Sequence, residues 1–205
     1  MQIVLTVLAA YCLGSVSFAI VVSRALRLPD PRTYGSKNPG ATNVLRTGRR
    51  AAAVLTLAGD GGKGWLAVWL AELISPGSAA LAGLAAFIGH LFPVFHRFQG
   101  GKGVATAAGV LFGLDWRIGL GALATWLIIA AFFRYSSLAA LVAAAFATCF
   151  TALLLGLDVA AAAVLVMSAL LAWRHRENIV RLAAGTEARL GEKKPNPPDP
   201  SAASR

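Results

Sequence analysis

The stretch LAALVAAAFATCFTALLLG, residues 138–156, contains no charged side chain. Because an α-helix rises about 1.5 Å per residue, this run nearly matches the ~30 Å hydrocarbon core of a bilayer. Six further apolar segments lie at residues 2–23, 51–74, 79–95, 103–114, 117–133 and 159–173. Together they predict an all-α integral membrane protein with about seven transmembrane helices, some of them short or broken.

The composition supports a membrane protein. Of the 205 residues, 57% are hydrophobic and 14% are charged, whereas soluble domains carry about 25% charged residues. The first segment is too long for a signal peptide and lacks a basic start, so we interpret it as a retained helix. Cys12 and Cys149 lie in apolar segments without a CxxC motif, which indicates neither disulfides nor a zinc site.

The positive charges are distributed unevenly along the chain. Of the 19 Lys and Arg residues, 17 fall in alternate breaks between apolar segments, at residues 24–50, 96–102, 134–137 and 174–205. The positive-inside rule therefore places the N-terminus outside and the C-terminus in the cytoplasm. The net charge of +10 thus reflects topology and contacts with anionic headgroups and does not call for nucleic acid. Residues 1–191 are predicted to form one membrane domain, and the Pro- and Ser-rich residues 192–205 a disordered tail.

Three polar motifs occupy these cytoplasmic breaks, and the first is YGSKNPGATNVLRTGRR, residues 34–50. Its Asn-Pro-Gly sequence, residues 38–40, predicts a turn. Thr42 or Asn43 could then cap the following helix and leave its N-terminal amides facing an anion. The alternative is an ordinary capped loop with cytoplasmic arginines.

The second motif is GHLFPVFHRFQGGKGVAT, residues 89–106. Gly100, Gly101 and Gly103 would let backbone amides approach a phosphate, Lys102 adds positive charge, and a helix N-terminus follows. The spacing is not that of a Walker A loop. Alternatively, the glycines permit a tight re-entrant turn and the lysine reaches the membrane interface.

The third motif, WRHRENIVRLAAGTEARLG, residues 173–191, follows the last apolar segment. His175 and Asn178 are three residues apart and share a helix face, while Arg174, Asn178 and Arg181 form a neighbouring stripe. A solvated basic helix next to the membrane is the alternative. Because all three motifs fall on one membrane face, we expect them to converge on a cytoplasmic-side pocket.

A fourth polar feature lies inside the second apolar segment. Asp60 and Lys63 are three residues apart, about 15 Å along the helix from Ala51. Ionisable groups at such depth cost a few kcal/mol each and usually face a cavity or one another. The pair is therefore interpreted as structural or cavity-lining.

The three motifs together resemble the acyl-phosphate:glycerol-3-phosphate acyltransferase family of bacterial membranes. The resemblance extends over residues 11–191 and rests on GSKNPGATNVLR (35–46), GHLFPVFHRFQGGKGVAT (89–106) and HRENIVRLAAGTE (175–187), supported by LGSVSFA (13–19) and DGGKG (60–64). One departure is Ser17, where most relatives are expected to have proline. The resemblance implies transfer of a fatty acyl group from acyl phosphate to the 1-hydroxyl of glycerol 3-phosphate. The products are lysophosphatidic acid and inorganic phosphate, in the entry step of phospholipid synthesis at the bacterial inner membrane.

The resemblance also implies site residues, with the active site facing the cytoplasm and no cofactor or metal. The catalytic candidates are Ser36, Arg46, Lys102, His175 and Asn178. The substrate-binding candidates are Asn38, Thr42, Asn43, Gly100, Gly101, Gly103, Arg181 and Glu187. The glycine-rich elbow, residues 100–103, would hold the donor phosphate, and Arg46 with its neighbours would hold glycerol 3-phosphate. The proton would leave through His175 or through a substrate phosphate.

The residues themselves allow a second class of function. A membrane transporter for a phosphorylated or other anionic molecule could line its pathway with broken helices and with Asp60 and Lys63. Such a protein should show inverted repeats or divide its polar motifs between the two faces, and this sequence shows neither. A His-x4-Asp dyad and a Gly-x-Ser-x-Gly elbow, the marks of other acyl-transfer enzymes, are likewise not found.

Overall fold

The computed structural model describes residues 1–191, and all regular elements within that range are helical. The prediction of an all-α protein is therefore confirmed, while the predicted tail at 192–205 lies outside the described residues. The helices are α1 Gln2–Gly14, α2 Phe18–Ala25, α3 Ala41–Leu45, α4 Arg50–Ile74, α5 Ala79–Leu91, α6 Val104–Leu114, α7 Trp116–Phe133, α8 Ser136–Leu155, α9 Val159–Arg174 and α10 Arg176–Ala183. A single 3-10 turn, Val94–His96, lies between α5 and α6.

Each of the seven apolar segments is helical, but the helices differ in their ability to span a bilayer. Within residues 1–191, three helices are long and apolar enough to span, or up to five if the bent pairs α1–α2 and α9–α10 each count as one. Helix α4 has 25 residues, but Asp60 and Lys63 lower its hydropathy. Helix α6 has only 11 residues, as the short segment predicted. The number of about seven crossings stays a prediction.

The first apolar segment is broken, which corrects the expectation of one helix over residues 2–23. Helices α1 and α2 meet at an angle of 42°. The backbone groups released at the break bind side chains of α4: Lys63 Nζ donates to Val16 O at 2.6 Å, and Phe18 N donates to Asp60 Oδ1 at 3.3 Å. Buried backbone groups need such partners inside a membrane, so the buried ion pair makes the break possible.

Helices α4 and α6 pack backbone to backbone through glycine. A Cβ added at Gly109 would lie 1.8 Å from Gly61 O, and one added at Gly64 would lie 2.4 Å from Thr106 O. Only glycine fits where two helices approach this closely. The short helix α6 is thereby fixed against α4, and its N-terminus is held beside the end of α5.

Helix α5 forms the centre of the bundle and packs against α1, α4, α6 and α9. Its side chains Phe87 and Leu91 are fully buried among Val68, Val110 and Met167. By contrast, Phe132 on α7 and Leu153 on α8 are 82% and 83% exposed. Large exposed apolar side chains on such helices are the expected lipid-facing surface of an integral membrane protein.

Candidate active site

The glycine-rich elbow, residues 100–103, is pressed against the C-terminal end of α5. The Gly101 amide donates to His90 O at 3.1 Å. A Cβ at Gly100 would lie 2.1 Å from His90 O, and one at Gly101 would lie 2.2 Å from His90 Nε2. Only glycine fits at either position, so these residues let the elbow pack closely on α5. Close packing is thus a sufficient reason for both glycines.

Gly103 ends the elbow in the left-handed region, with φ of 84°, and is the N-cap of α6. A Cβ there would lie 2.3 Å from Phe87 Cε2. This position requires glycine for both conformation and space. The elbow therefore delivers Lys102 to a fixed place immediately before α6.

Arg174, the last residue of α9, also binds the elbow. Its Nε donates to Gly101 O at 3.1 Å and its Nη2 to Gly100 O at 2.8 Å. The guanidinium also lies 5.9 Å from the centre of the Trp173 ring. Because Arg174 binds the carbonyl oxygens of Gly100 and Gly101, a residue of the third motif holds the second motif in place. The sequence placed Arg174 on one stripe with Asn178 and Arg181 but did not select it as a site residue.

Lys102 joins a hydrogen-bonded chain of polar side chains. Its Nζ donates to Asn178 Oδ1, and Asn178 Nδ2 donates to Glu187 Oε1 at 2.6 Å. Glu187 also accepts from Ser137 Oγ and from Arg181 Nε, each at 2.7 Å. These hydrogen-bonded side chains therefore connect the elbow with three other parts of the protein: α10, the segment that follows α10, and the start of α8.

The pKa values of Lys102 and Glu187 are shifted for different reasons. Burial, with repulsion from Arg181, lowers the pKa of Lys102 to about 8 despite the opposing pull of Glu187 and Glu177. Burial raises the pKa of Glu187, but hydrogen bonds from Ser137 and from its Asn and Arg partners outweigh that effect and hold the pKa below its usual value. At neutral pH the glutamate is anionic and the lysine mostly protonated.

Residues of all three motifs meet around one cavity of about 120 Å³. It is lined by Ser36, Asn38, Gly100, Lys102, Arg174, Arg176 and Glu177. Three cationic side chains and one carboxylate line this cavity, so it has net positive charge. It carries hydroxyl and amide groups beside the cations, which suits a small polyhydroxy anion.

Other residues of the first motif shape the loop without lining the cavity. Asn43 is buried, where its Nδ2 donates to Pro31 O at 2.7 Å and its Oδ1 accepts from Ser36 N at 3.1 Å. It therefore fixes the loop that carries Ser36. The expectation that Thr42 or Asn43 caps the next helix is wrong, because Gly40 is the N-cap of α3 and no side chain caps it.

Arg46 ends α3 and is exposed, four residues before α4 begins. A Cβ at Gly35 would lie 3.0 Å from its Nη1, so the guanidinium rests on the loop next to Ser36. Arg46 is not among the lining residues of the cavity.

His175 lies at the junction of α9 and α10, where the chain bends by 60°. It is 3% exposed, and its Nδ1 hydrogen-bonds Leu171 O at 2.8 Å. Because a carbonyl only accepts, Nδ1 carries the proton. The imidazole lies outside the set of cavity-lining side chains.

Asp60 and Lys63 form a buried ion pair at 2.9 Å, and each is no more than 3% exposed. Lys63 Nζ also lies 3.0 Å from His90 Nδ1. Neither residue lines the cavity at the elbow. His90, which sequence reasoning did not select, thus contacts the ion pair through its ring and the elbow through its carbonyl.

Sequence reasoning also left out Ser137, Arg176 and Glu177. The last two belong to the third motif, where they directly precede Asn178, and that position was the signal available. Ser137 lies in the short break at residues 134–137, and its position on the same membrane side as the three motifs was the signal available for it. Within residues 1–191, no group of three or more His, Cys, Asp or Glu residues is arranged to hold a metal ion.

Comparison with known proteins agrees with this geometry. A family model described as glycerol-3-phosphate acyltransferase matches residues 4–185. The glycerol-3-phosphate acyltransferase of Ralstonia nicotianae is 65% identical over 192 residues, covering 91% of this chain and 93% of that protein. The corresponding protein of Cupriavidus taiwanensis is 65% identical over 193 residues, with coverage of 91% and 96%.

Solved structures show the same fold. The crystal structure of PlsY (YgiH), an integral membrane glycerol 3-phosphate acyltransferase, in its glycerol 3-phosphate form matches with a TM-score of 0.88. Its sequence is 38% identical, and the match covers 93% of this chain and 96% of that one. The lysophosphatidic acid form matches with a TM-score of 0.85 at the same identity and coverage.

Proposed function

The chain belongs to the glycerol-3-phosphate acyltransferase family, and from this membership we propose the reaction that it catalyses. It transfers a fatty acyl group from acyl phosphate to the 1-hydroxyl of glycerol 3-phosphate, releasing lysophosphatidic acid and inorganic phosphate. The observation that carries this proposal is the cationic cavity beside Lys102, in a fold that matches structures in glycerol 3-phosphate and lysophosphatidic acid forms.

The chemistry needs no enzyme nucleophile, because an acyl phosphate is already activated. The acceptor's 1-hydroxyl oxygen bonds to the acyl carbon, the bond from that carbon to the phosphate oxygen breaks, and phosphate departs. The enzyme therefore works through positioning and charge stabilisation. Lys102, held by Asn178, neutralises the charge that grows on the leaving phosphate.

We assign the hydroxyl proton to the departing phosphate. The cavity lining includes no imidazole, and His175 is buried with one ring nitrogen bound to Leu171 O. In this scheme His175 is a positioning residue that fixes the start of α10, and hence Asn178 and Arg176. Proton transfer between the two substrates balances the reaction without a protein base.

The remaining residues divide into direct contacts and supports. Ser36 and Asn38 line the cavity and are assigned to the glycerol hydroxyls or phosphate. We assign Arg46, whose guanidinium lies beside Gly35 in the same loop, to the acceptor phosphate. Glu187 and Arg181 form a salt bridge at 2.7 Å and hold Asn178 toward Lys102. Asn43 and the elbow glycines act by fixing backbone, whereas Thr42 is exposed and does not line the cavity.

We further propose that the protein resides in the bacterial inner membrane with this site facing the cytoplasm. The support is the concentration of Lys and Arg in the breaks that carry the three motifs. A single cysteine in place of Gln99, in a Cys12→Ala, Cys149→Ala background, should react with an impermeant maleimide only from the cytoplasmic side. Labelling from the periplasm would reverse the topology.

The direct test is phosphate release by the purified protein. Fatty acyl phosphate with glycerol 3-phosphate should give lysophosphatidic acid and phosphate in equal amounts, while acyl-CoA should give neither. Lys102→Met should lose activity and Arg49→Gln, a cation outside the cavity lining, should keep it. Equal use of acyl-CoA would refute the proposed donor, and no lysophosphatidic acid from either donor would refute the activity.

A further inference from the structure

A second and larger cavity lies near the cytoplasmic end of α2. Its volume is about 540 Å³, and it shares no lining residue with the cavity beside Lys102. It is lined by Arg24, Asp30, Arg32, Thr33, Phe95, His96, Arg97 and Gln99. The proposed reaction assigns no role to any of these side chains.

The charges of this second cavity are unbalanced. Asp30 is its one carboxylate, and Arg32 already binds it through Nη2–Oδ2 at 2.7 Å and Nε–Oδ1 at 3.0 Å. Arg24 and Arg97 also line the cavity, and within residues 1–191 neither has a side-chain hydrogen bond or salt bridge, although the charge of Arg24 contributes to lowering the pKa of Asp30. Two arginines are therefore left to face an anion, and guanidinium groups bind phosphate oxygens in pairs.

Apolar side chains stand beside these charges. Phe95 lines the cavity and is 60% exposed, and Phe98, which follows Arg97, is 59% exposed. Arg97 and Phe98 both have positive φ, 53° and 59°, in a tight turn where Pro93 O accepts from Phe98 N at 2.9 Å. A positive φ is costly for a bulky side chain, so the turn holds its phenylalanine outward at an energetic cost.

A phosphate-binding cation pair next to exposed aromatic rings fits an amphiphile with an anionic head. We propose that this cavity binds the phosphate of an anionic phospholipid from the surrounding bilayer, with Arg24 and Arg97 on the phosphate and the acyl chains along Phe95 and Phe98. Basic pockets near the cytoplasmic ends of membrane helices commonly recognise such headgroups. The site is separate from the substrate cavity and independent of the proposed reaction.

The test is lipid binding to the purified full-length protein, measured by native mass spectrometry during titration. Phosphatidylglycerol and phosphatidic acid represent a phosphodiester and a phosphomonoester, and phosphatidylcholine is the neutral control. The unchanged protein should bind one anionic lipid tightly. Arg24→Gln with Arg97→Gln should weaken that binding roughly tenfold or more.

The matched control is Arg49→Gln with Arg50→Gln, which also removes two positive charges, from the break that contains Arg24, at residues that do not line the cavity. Its lipid binding should change less than twofold. Neither double variant alters a residue of the proposed active site. Both should therefore release phosphate at the normal rate, which checks that they are folded. Equal loss in both pairs, or equal binding of phosphatidylcholine, would overturn the proposal. A preference for phosphatidic acid would identify the monoester as the ligand.

Discussion

The pKa of Lys102 gives the sharpest test of its role. An ordinary lysine stays protonated to far above neutral pH, whereas burial and Arg181 lower the pKa of this one to about 8. The cation is therefore present below pH 8 and lost as the pH rises through that value. About nine in ten molecules would carry it at pH 7 and about one in ten at pH 9. If the charge is needed, kcat/KM should fall roughly tenfold over this interval.

The assay is phosphate release at several pH values, corrected for spontaneous hydrolysis of the acyl phosphate. Phosphate monoesters lose their second proton near pH 6, so glycerol 3-phosphate remains a dianion throughout the range. Bound phosphate should raise the lysine's pKa, so the fall in kcat should lie at higher pH than the fall in kcat/KM. This separation is a property that a purely structural lysine would not show.

Lys102→Arg is the control, because a guanidinium keeps its charge across this range. It should be less active, since its geometry differs, and its kcat/KM should be flat from pH 7 to 9. Lys102→Met should lose about 2 kcal/mol or more of transition-state stabilisation, roughly thirtyfold in rate. A flat profile for the unchanged protein, or the same fall in Lys102→Arg, would refute the reasoning.

Three further outcomes are expected. Arg46→Lys should raise KM for glycerol 3-phosphate much more than KM for the donor, whereas Arg49→Lys should change little; equal kinetics would remove Arg46 from the acceptor site. Gly100→Ala should reduce kcat/KM at least about tenfold, because its Cβ would meet His90 O at 2.1 Å, while Gly62→Ala, with no atom within 4 Å, should be active. Activity should survive EDTA, and loss restored by Mg²⁺ would reveal a metal requirement.

The apolar segmentation was predictable because helix length and hydropathy follow directly from residue order. The sequence also predicted a helix too short to span at residues 103–114, a segment of twelve residues, and α6 has 11. The break after Gly14 was not predictable in the same way. Its cause is tertiary: the partners of the open backbone are Asp60 and Lys63, more than forty residues away. Local helix propensity depends on neighbouring residues and therefore does not reveal such a contact.

The site shows the same division between local pattern and tertiary contact. Lys102 and Asn178 could be selected by residue type and membrane side, and the structure joins them by a hydrogen bond. Ser137 and Arg174 act through hydrogen bonds to distant groups, Glu187 and the elbow carbonyls. Sequence spacing could not reveal these partners. For Gly100 the residue type was noticed but not its tight packing, which depends on how the elbow meets the end of α5.

The buried ion pair of α4 has a consequence for how the chain enters the membrane during synthesis. A charged side chain at the centre of an inserting helix costs about 2.5–3.5 kcal/mol. The pairing of Asp60 with Lys63 within α4 offsets only part of the cost of two such charges. Partners for both charges already exist in the preceding segment, at Val16 O and Phe18 N, whereas His90 is synthesised later. We therefore expect α4 to enter the lipid phase alongside α1 and α2 as one hairpin, and the translocon to retain α4 when that first segment is deleted.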